Sequence, residues 1–261
     1  MTKANRRLVA SLATVKGRRE HGFFMAEGTR CVLETISLFD VVVLLATASW
    51  LDRNGRELPA GIPDITIVKR ADIIEMSSLS TPPDVIAVYR IPERTAAVPT
   101  PDTLSLALDR IQDPGNLGTI VRIASWMGIR NIYCSADTVD LYNPKVVQST
   151  MGAIARVSVS YCDLPPLLDE ARRNGVAVYG TFLDGENIYD TGITEGGIIV
   201  MGNEGNGISD AVAANVDHRL LIPSYPPGAP CVESLNVSMA TAIVTAEFRR
   251  RSGNKHMTTG Q

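Results

Sequence analysis

The sequence predicts an α/β fold in two parts, and three observations support this. Short apolar strands alternate with helix-length segments along the whole chain. A stretch from Ile91 to Pro101, with Pro92, Pro99 and Pro101 among small and polar residues, has no apolar period and reads as a stiff linker. The 261 residues divide around it into pieces of about 90 and about 150, each large enough for a domain with its own core. The expected boundaries are 1–95 for a smaller α/β domain and 104–251 for a larger one, with 252–261 a disordered tail.

In the first part a helix is expected over residues 3–15. The apolar segment 23–28 and a helix over 29–38 follow. Residues 41–45, 65–68 and 85–89 read as strands, and 70–79 as a helix between the last two. The second part alternates more regularly. A strand at 105–109 leads through Asp113-Pro114-Gly115-Asn116 into a helix over 117–126, closed by Gly128. Strands at 131–134 and 157–161 flank a helix at 144–151. A helix at 164–173, ended by Gly175, leads to a strand at 176–182. Residues 198–201 are wholly apolar and read as a strand buried on both faces. A strand at 218–222 and a long helix over 234–251 complete the pattern. Strands separated by helices at this spacing imply a parallel sheet, whose ligands sit at the carboxyl ends of the strands.

Composition narrows the chemistry. No apolar run reaches the roughly 18–20 residues of a membrane span, and the N-terminal apolar stretch is too short for a signal peptide, so the expected location is cytoplasmic with no membrane partner. Cys31, Cys134, Cys162 and Cys231 form no C-x-x-C pair and read as reduced thiols. His21, His218 and His256 stand without a second ligand at helical spacing, so neither a metal site nor a histidine-based triad is expected. The net charge of −3 is unevenly spread: residues 1–30 carry +5, residues 249–261 carry +4, and the body between them −12. Basic ends on an acidic body are the footprint expected of a chain that meets a polyanion.

Three loops concentrate the unusual residues. Asp113 to Arg122 is a turn into a helix, and helix N-termini with a nearby guanidinium favour anions. Gly202-Asn203-Glu204-Gly205-Asn206-Gly207 follows the buried strand. Its glycine spacing fits neither the dinucleotide fingerprint nor a phosphate-binding P-loop, and it holds a carboxylate that a turn does not need. The third loop runs from Ile222-Pro223 to Val232-Glu233-Ser234-Leu235-Asn236-Val237-Ser238. There Ser234 reads as a helix cap, while Asn236 is a poor residue for a helix interior.

Taken in order, Asn116-x-Gly118-x-x-x-Arg122, Gly202 to Ser209, and Ile222-Pro223 with Val232 to Ser238 resemble the three signature motifs of the SpoU (TrmH-type) RNA 2′-O-ribose methyltransferases, a branch of the SPOUT class. More weakly, residues 23–28 and 81–88 are similar to the L30e-like RNA substrate-binding domain that many members carry. The resemblance implies a SPOUT domain with a trefoil knot, a homodimer with its active site at the interface, S-adenosylmethionine as cofactor and RNA as partner, ribosomal RNA ahead of transfer RNA. It implies Arg122 beside the 2′-hydroxyl, as proton acceptor or as stabiliser of the developing alkoxide. Asn116, Glu204, Ser234 and Asn236 complete the catalytic set, with Glu204 holding the loop or Arg122. Thr181, Gly202, Ile222 and Leu235 fall on the cofactor pocket. The stretch Ser224 to Cys231 is longer than the family commonly shows and is expected to bulge into solvent. Two competing readings are a catalytically inactive RNA-binding protein of the same fold and a nucleotide-dependent α/β enzyme.

Overall fold

The computed structural model describes residues 1–93, 95–226 and 232–257, without the side chains of 253–257. Cys231 and most of the Ser224–Cys231 stretch lie outside the described residues. The chain forms two compact units: residues 1–93 with 140–156, and residues 94–139 with 157–261. The expected 104–251 domain is therefore interrupted, because the segment 140–156 groups with the first unit.

In the first unit the helix expected over 3–15 is two helices, α1 (Lys3–Ser11) and α2 (Val15–His21). The Thr14 side chain accepts the Gly17 amide and starts the second helix. A Cβ at Gly17 would lie 2.2 Å from the Ser11 carbonyl oxygen, so only glycine allows this close junction. Strand β1 (Phe23–Glu27), α3 (Thr29–Thr35), β2 (Val41–Ala46), α4 (Ala48–Asn54), β3 (Ile65–Ile67), α5 (Arg70–Met76) and β4 (Val85–Arg90) follow. Helix α4, unforeseen in the sequence, starts where the Thr47 side chain accepts the Trp50 amide. The strands lie in the order β1-β4-β2-β3, with β4 antiparallel to both neighbours and β2 parallel to β3. Val9, Leu12, Met25, Ile73, Met76 and Val88 belong to one core cluster of this unit. Phe24, Phe39, Tyr89 and Tyr142 form a second, aromatic cluster with ring centroids 4.6–5.5 Å apart.

The second unit begins with β5 (Leu104–Leu108), α6 (Pro114–Trp126) and β6 (Asn131–Cys134). The chain then returns to the first unit through α7 (Pro144–Thr150). There the buried Arg18 guanidinium donates two hydrogen bonds to Asp140, at 2.9 and 2.6 Å, and a third to the Leu12 carbonyl. A buried guanidinium needs its acceptors, so this pair ties the excursion in place. Strand β7 (Ser158–Tyr161), α8 (Leu164–Arg173), β8 (Val178–Asn187), β9 (Gly197–Met201), α9 (Asp210–Ala213), β10 (His218–Leu221) and α10 (Val237–Met257) complete the second unit. Its six strands are all parallel, in the order β10-β8-β9-β5-β6-β7. Strands β5 and β9 are adjacent and wholly buried, as the apolar run at 198–201 required. Helix α10 continues to Met257, beyond its expected end at 251. The expected tail at 252–261 is thus helical in its first part, and residues 258–261 lie outside the described residues.

The basic ends are only partly free. Arg18 is buried against Asp140, Arg249 donates to the Met127 carbonyl, and Arg250 and Arg251 both pair with Glu247. Lys3, Arg7, Lys16, Arg19 and Arg30 remain exposed. Among the described residues, no helix is long and apolar enough to cross a membrane.

Candidate active site

The three loops converge at the carboxyl ends of β5, β9 and β10. Strand β5 ends at Leu108, and buried Asp109 beyond it accepts the Ser209 amide at 2.7 Å, anchoring the far end of the glycine loop. Arg110 follows at φ 58°, a left-handed conformation that an arginine adopts only when its backbone is held. Its amide donates to Ser135 Oγ, and its carbonyl accepts from Asn203 Nδ2, both at 2.8 Å. Helix α6 then opens on Asp113, whose carboxylate accepts the Asn116 amide at 2.9 Å, with Pro114 at the first helical position. Asn116 thus stands in the first turn with its side chain free to reach outward.

The glycine loop closes on itself. Asn203 and Gly207 exchange both backbone hydrogen bonds, and Asn203 Oδ1 accepts the amides of Gly205 and Asn206. A Cβ on Gly202 would lie 2.3 Å from the backbone of Gly207 and Ile208, so the loop folds this tightly only with glycine there. Glu204 is held at its tip.

Helix α10 starts at Val237 rather than at Ser234, which corrects the expected cap. The capping group is the Asn236 carboxamide, whose oxygen accepts the amides of Ser238 and Met239 at 3.0 and 3.4 Å and the Ser238 hydroxyl at 2.6 Å. Asn236 is therefore not in the helix interior, and Ser234 is exposed, with no hydrogen bond among the described residues. Because its oxygen faces the helix, the Asn236 amide nitrogen turns outward and donates to Asn116 Oδ1 at 2.9 Å. The Asn116 nitrogen in turn donates to Glu204 Oε1, also at 2.9 Å. Residues from all three loops thus form one directional relay, which ends on the carboxylate that the turn by itself did not need.

Beside the relay lies a cleft of about 460 Å³. All four expected pocket residues, Thr181, Gly202, Ile222 and Leu235, line it, together with Glu204 and Ser234. Phe182, Leu183, Met201, Ile208, Leu220, Val237 and Ala240 supply most of the apolar wall; Ile208 and Val237 fall within the motifs, and the others in none of them. Their signal is faint because apolar residues at strand ends look like core. Among the described residues the only charged groups lining the cleft are Glu204 and Glu233. Asn116 and Asn236 border the cleft through the relay without lining it. Arg122 is not brought to it: it is exposed on α6, about 9 Å along the axis from Asn116, with no hydrogen bond or ion pair among the described residues. Glu204 accordingly holds Asn116 and not Arg122.

Comparison with known proteins places this geometry among relatives. Residues 103–246 match the model of the SpoU rRNA Methylase family. A Bacillus subtilis protein, 23S rRNA (guanosine(2553)-2′-O)-methyltransferase RlmP, is 31% identical, over 91% of this chain and 93% of its own length. A structure from Porphyromonas gingivalis assigned to the TrmH family of RNA methyltransferases superposes with a TM-score of 0.86 at 36% identity, covering 96% of this chain and 99% of that one. The SpoU methyltransferase AviRb from Streptomyces viridochromogenes, in complex with the cofactor AdoMet, gives a TM-score of 0.83 at 25% identity, covering 96% of this chain and 98% of that one.

Proposed function

Since the chain belongs to the SpoU rRNA methylase family, we propose that it transfers a methyl group from S-adenosylmethionine (AdoMet) to a ribose 2′-hydroxyl of structured RNA. Ribosomal RNA is the favoured substrate, as the activity of the Bacillus relative suggests. The observation that carries the cofactor assignment is the charge of the cleft. A pocket lined by apolar side chains, glycine-loop backbone and two carboxylates suits a sulfonium cation on an adenosine body. Among the described residues it offers no lysine or arginine to a phosphate-bearing nucleotide, which disfavours the nucleotide-dependent alternative.

AdoMet bound there supplies an already activated methyl group, so this chain's own task is alignment and handling of the hydroxyl proton. Thr181, Gly202, Ile222 and Leu235 form the pocket walls. The relay from Asn236 through Asn116 to Glu204 fixes the glycine loop against α6 and α10 and turns the Asn116 amide to a set direction. Ser234, exposed at the rim and free of any capping duty, is available to RNA. Arg122 acts at the 2′-hydroxyl, either accepting its proton with help from a substrate phosphate or stabilising the developing alkoxide. A guanidinium is a poor base in water, so either role depends on the bound substrate. An unpartnered arginine outside the cleft fits an active site completed across a homodimer, and Trp126, one turn further along α6, is exposed as an apolar interface residue would be. A trefoil knot in the C-terminal loops and a cytoplasmic location belong to the same reading.

The test has two parts. AdoMet raises the melting temperature of the free protein, as a ligand of the native state must, whereas NAD and ATP do not. Arg122→Lys keeps the charge but loses the guanidinium fork, and single-turnover methylation falls at least about a hundredfold with AdoMet affinity unchanged. Near-normal methylation by this variant would remove Arg122 from the mechanism.

A further inference from the structure

One wall of the cleft is made by a break in the β8–β10 ladder. Arg219 pairs with Gly180, yet the next residue, Leu220, pairs with Glu186, so residues 181–185 of β8 bulge out between the two pairings with β10. Three residues of that excursion, Thr181, Phe182 and Leu183, line the cleft. Phe182 packs partly against the core of the unit, while its neighbours are held more lightly. The Thr181 hydroxyl makes two long contacts, 3.4 Å to the Val200 carbonyl and 3.8 Å to Met201 Sδ, and Leu183 and Asp184 are exposed.

Arg219 spans the break. Its guanidinium carbon lies 3.5 Å from the centroid of the Phe182 ring, and its Nη2 donates to Asp184 Oδ1 at 2.5 Å. Its own carbonyl oxygen seats the returning foot of the excursion, since a Cβ on Gly185 would come within 2.6 Å of it. One side chain therefore holds the excursion by a cation–π stack on one residue and an ion pair on another. Arg219 itself does not line the cleft.

We infer that Arg219 is a positioning residue for the methyl donor: it keeps Phe182 and Leu183 standing as a wall of the AdoMet pocket without touching AdoMet. The inference rests on the cofactor reading given above. Without the clamp the excursion samples open positions, and the apparent affinity falls by the fraction of time the wall is out of place. Substrate RNA, engaged by other residues, is unaffected.

The test uses the full chain and the variants Arg219→Ala, Arg219→Lys and Phe182→Leu. AdoMet affinity is measured by titration calorimetry, the affinity for an unmodified 23S rRNA transcript by filter binding, and the ligand-free melting temperature by scanning calorimetry. Arg219→Ala is expected to weaken AdoMet binding roughly threefold to tenfold, the loss of one exposed stack and one exposed ion pair. Arg219→Lys falls between it and the wild type, because the charge remains without the planar stack. Combining Arg219→Ala with Phe182→Leu adds less than the two single effects, because both act through one contact. RNA affinity stays within about twofold of wild type in each case. Wild-type AdoMet affinity in Arg219→Ala overturns the inference, as does an equal loss of AdoMet and RNA binding with a lowered melting temperature. A wild-type protein that binds no AdoMet overturns the cofactor reading itself.

Discussion

The carboxamide of Asn236 is held by its oxygen, which accepts the first amides of α10, and this leaves its nitrogen directed at Asn116. Helix capping and site geometry therefore share one side chain, and a substitution can separate them. Asn236→Asp keeps an oxygen for the cap but has no donor for Asn116. Folding stability is expected to stay within about 0.5 kcal/mol of wild type, while single-turnover methylation falls about tenfold or more as the relay loses direction. Thermal unfolding and rapid-quench kinetics on the same samples decide it; parallel losses in both would mean the relay is only structural. Glu204 and Asn236 stood out in the sequence, because each is a residue type that its local structure does not call for, whereas Asn116 entered through the resemblance of its motif. Their connection was not legible, since hydrogen bonds between residues 88 and 120 positions apart leave no local pattern.

Helix α10 shows the same division between ends. Its start presents Asn236 to the site, and its body packs the Phe248 ring edge-on to Tyr179, with centroids 5.0 Å apart. Near its basic end, Glu247 receives hydrogen bonds from Arg250 and Arg251, which pull its pKa down from an ordinary 4.5 to about 2 against the opposing effect of burial. A carboxylate whose folded-state pKa is depressed stabilises the fold above its unfolded pKa and loses that contribution as pH falls towards the folded value. Glu247→Gln should thus be less stable than wild type at neutral pH, with the difference shrinking as pH falls from 4.5 to about 2. Melting temperatures across that range provide the check, and a pH-independent difference would assign the loss to packing. Arg251 also donates to the carbonyls of Ile188, Tyr189 and Thr191, so these arginines are occupied in the fold. The expectation of a helix over 234–251 placed this element correctly in the chain but misplaced both its ends. Ser234 was a plausible cap by type, and only the chain path shows Asn236 taking that place.

Across the whole molecule the charge asymmetry survives in reduced form. The +5 and +4 ends suggested RNA-facing segments, but Arg18, Arg249, Arg250 and Arg251 are used internally. The exposed Lys3, Arg7, Lys16, Arg19 and Arg30 are the remaining candidates at the N-terminal end, of which Lys16, Arg19 and Arg30 test the region after α1. Replacing these three with glutamine should flatten the dependence of log K for RNA on log salt by about 0.7–0.9 for each phosphate they no longer neutralise. Arg249→Gln should leave that slope unchanged and lower the melting temperature, because the Met127 carbonyl loses its donor. Binding measured from low to moderate salt distinguishes the two groups, and an unchanged slope for the triple variant would place the RNA elsewhere.

The α/β class, the parallel sheet and the three site loops were determined by the sequence alone. Each depends on local signals: apolar runs of strand length, helix caps, glycine spacing, and polar residues where local structure does not explain them. Tertiary structure decided the rest. It assigned residues 140–156 to the first unit, made Asn236 the cap and the start of a relay, engaged four of the terminal arginines in contacts within the fold, and set Arg219 across a break in the sheet. The reason is common to all four. A long-range hydrogen bond or ion pair depends on where the folded backbone carries both partners, and neither partner's neighbours in the chain encode that position.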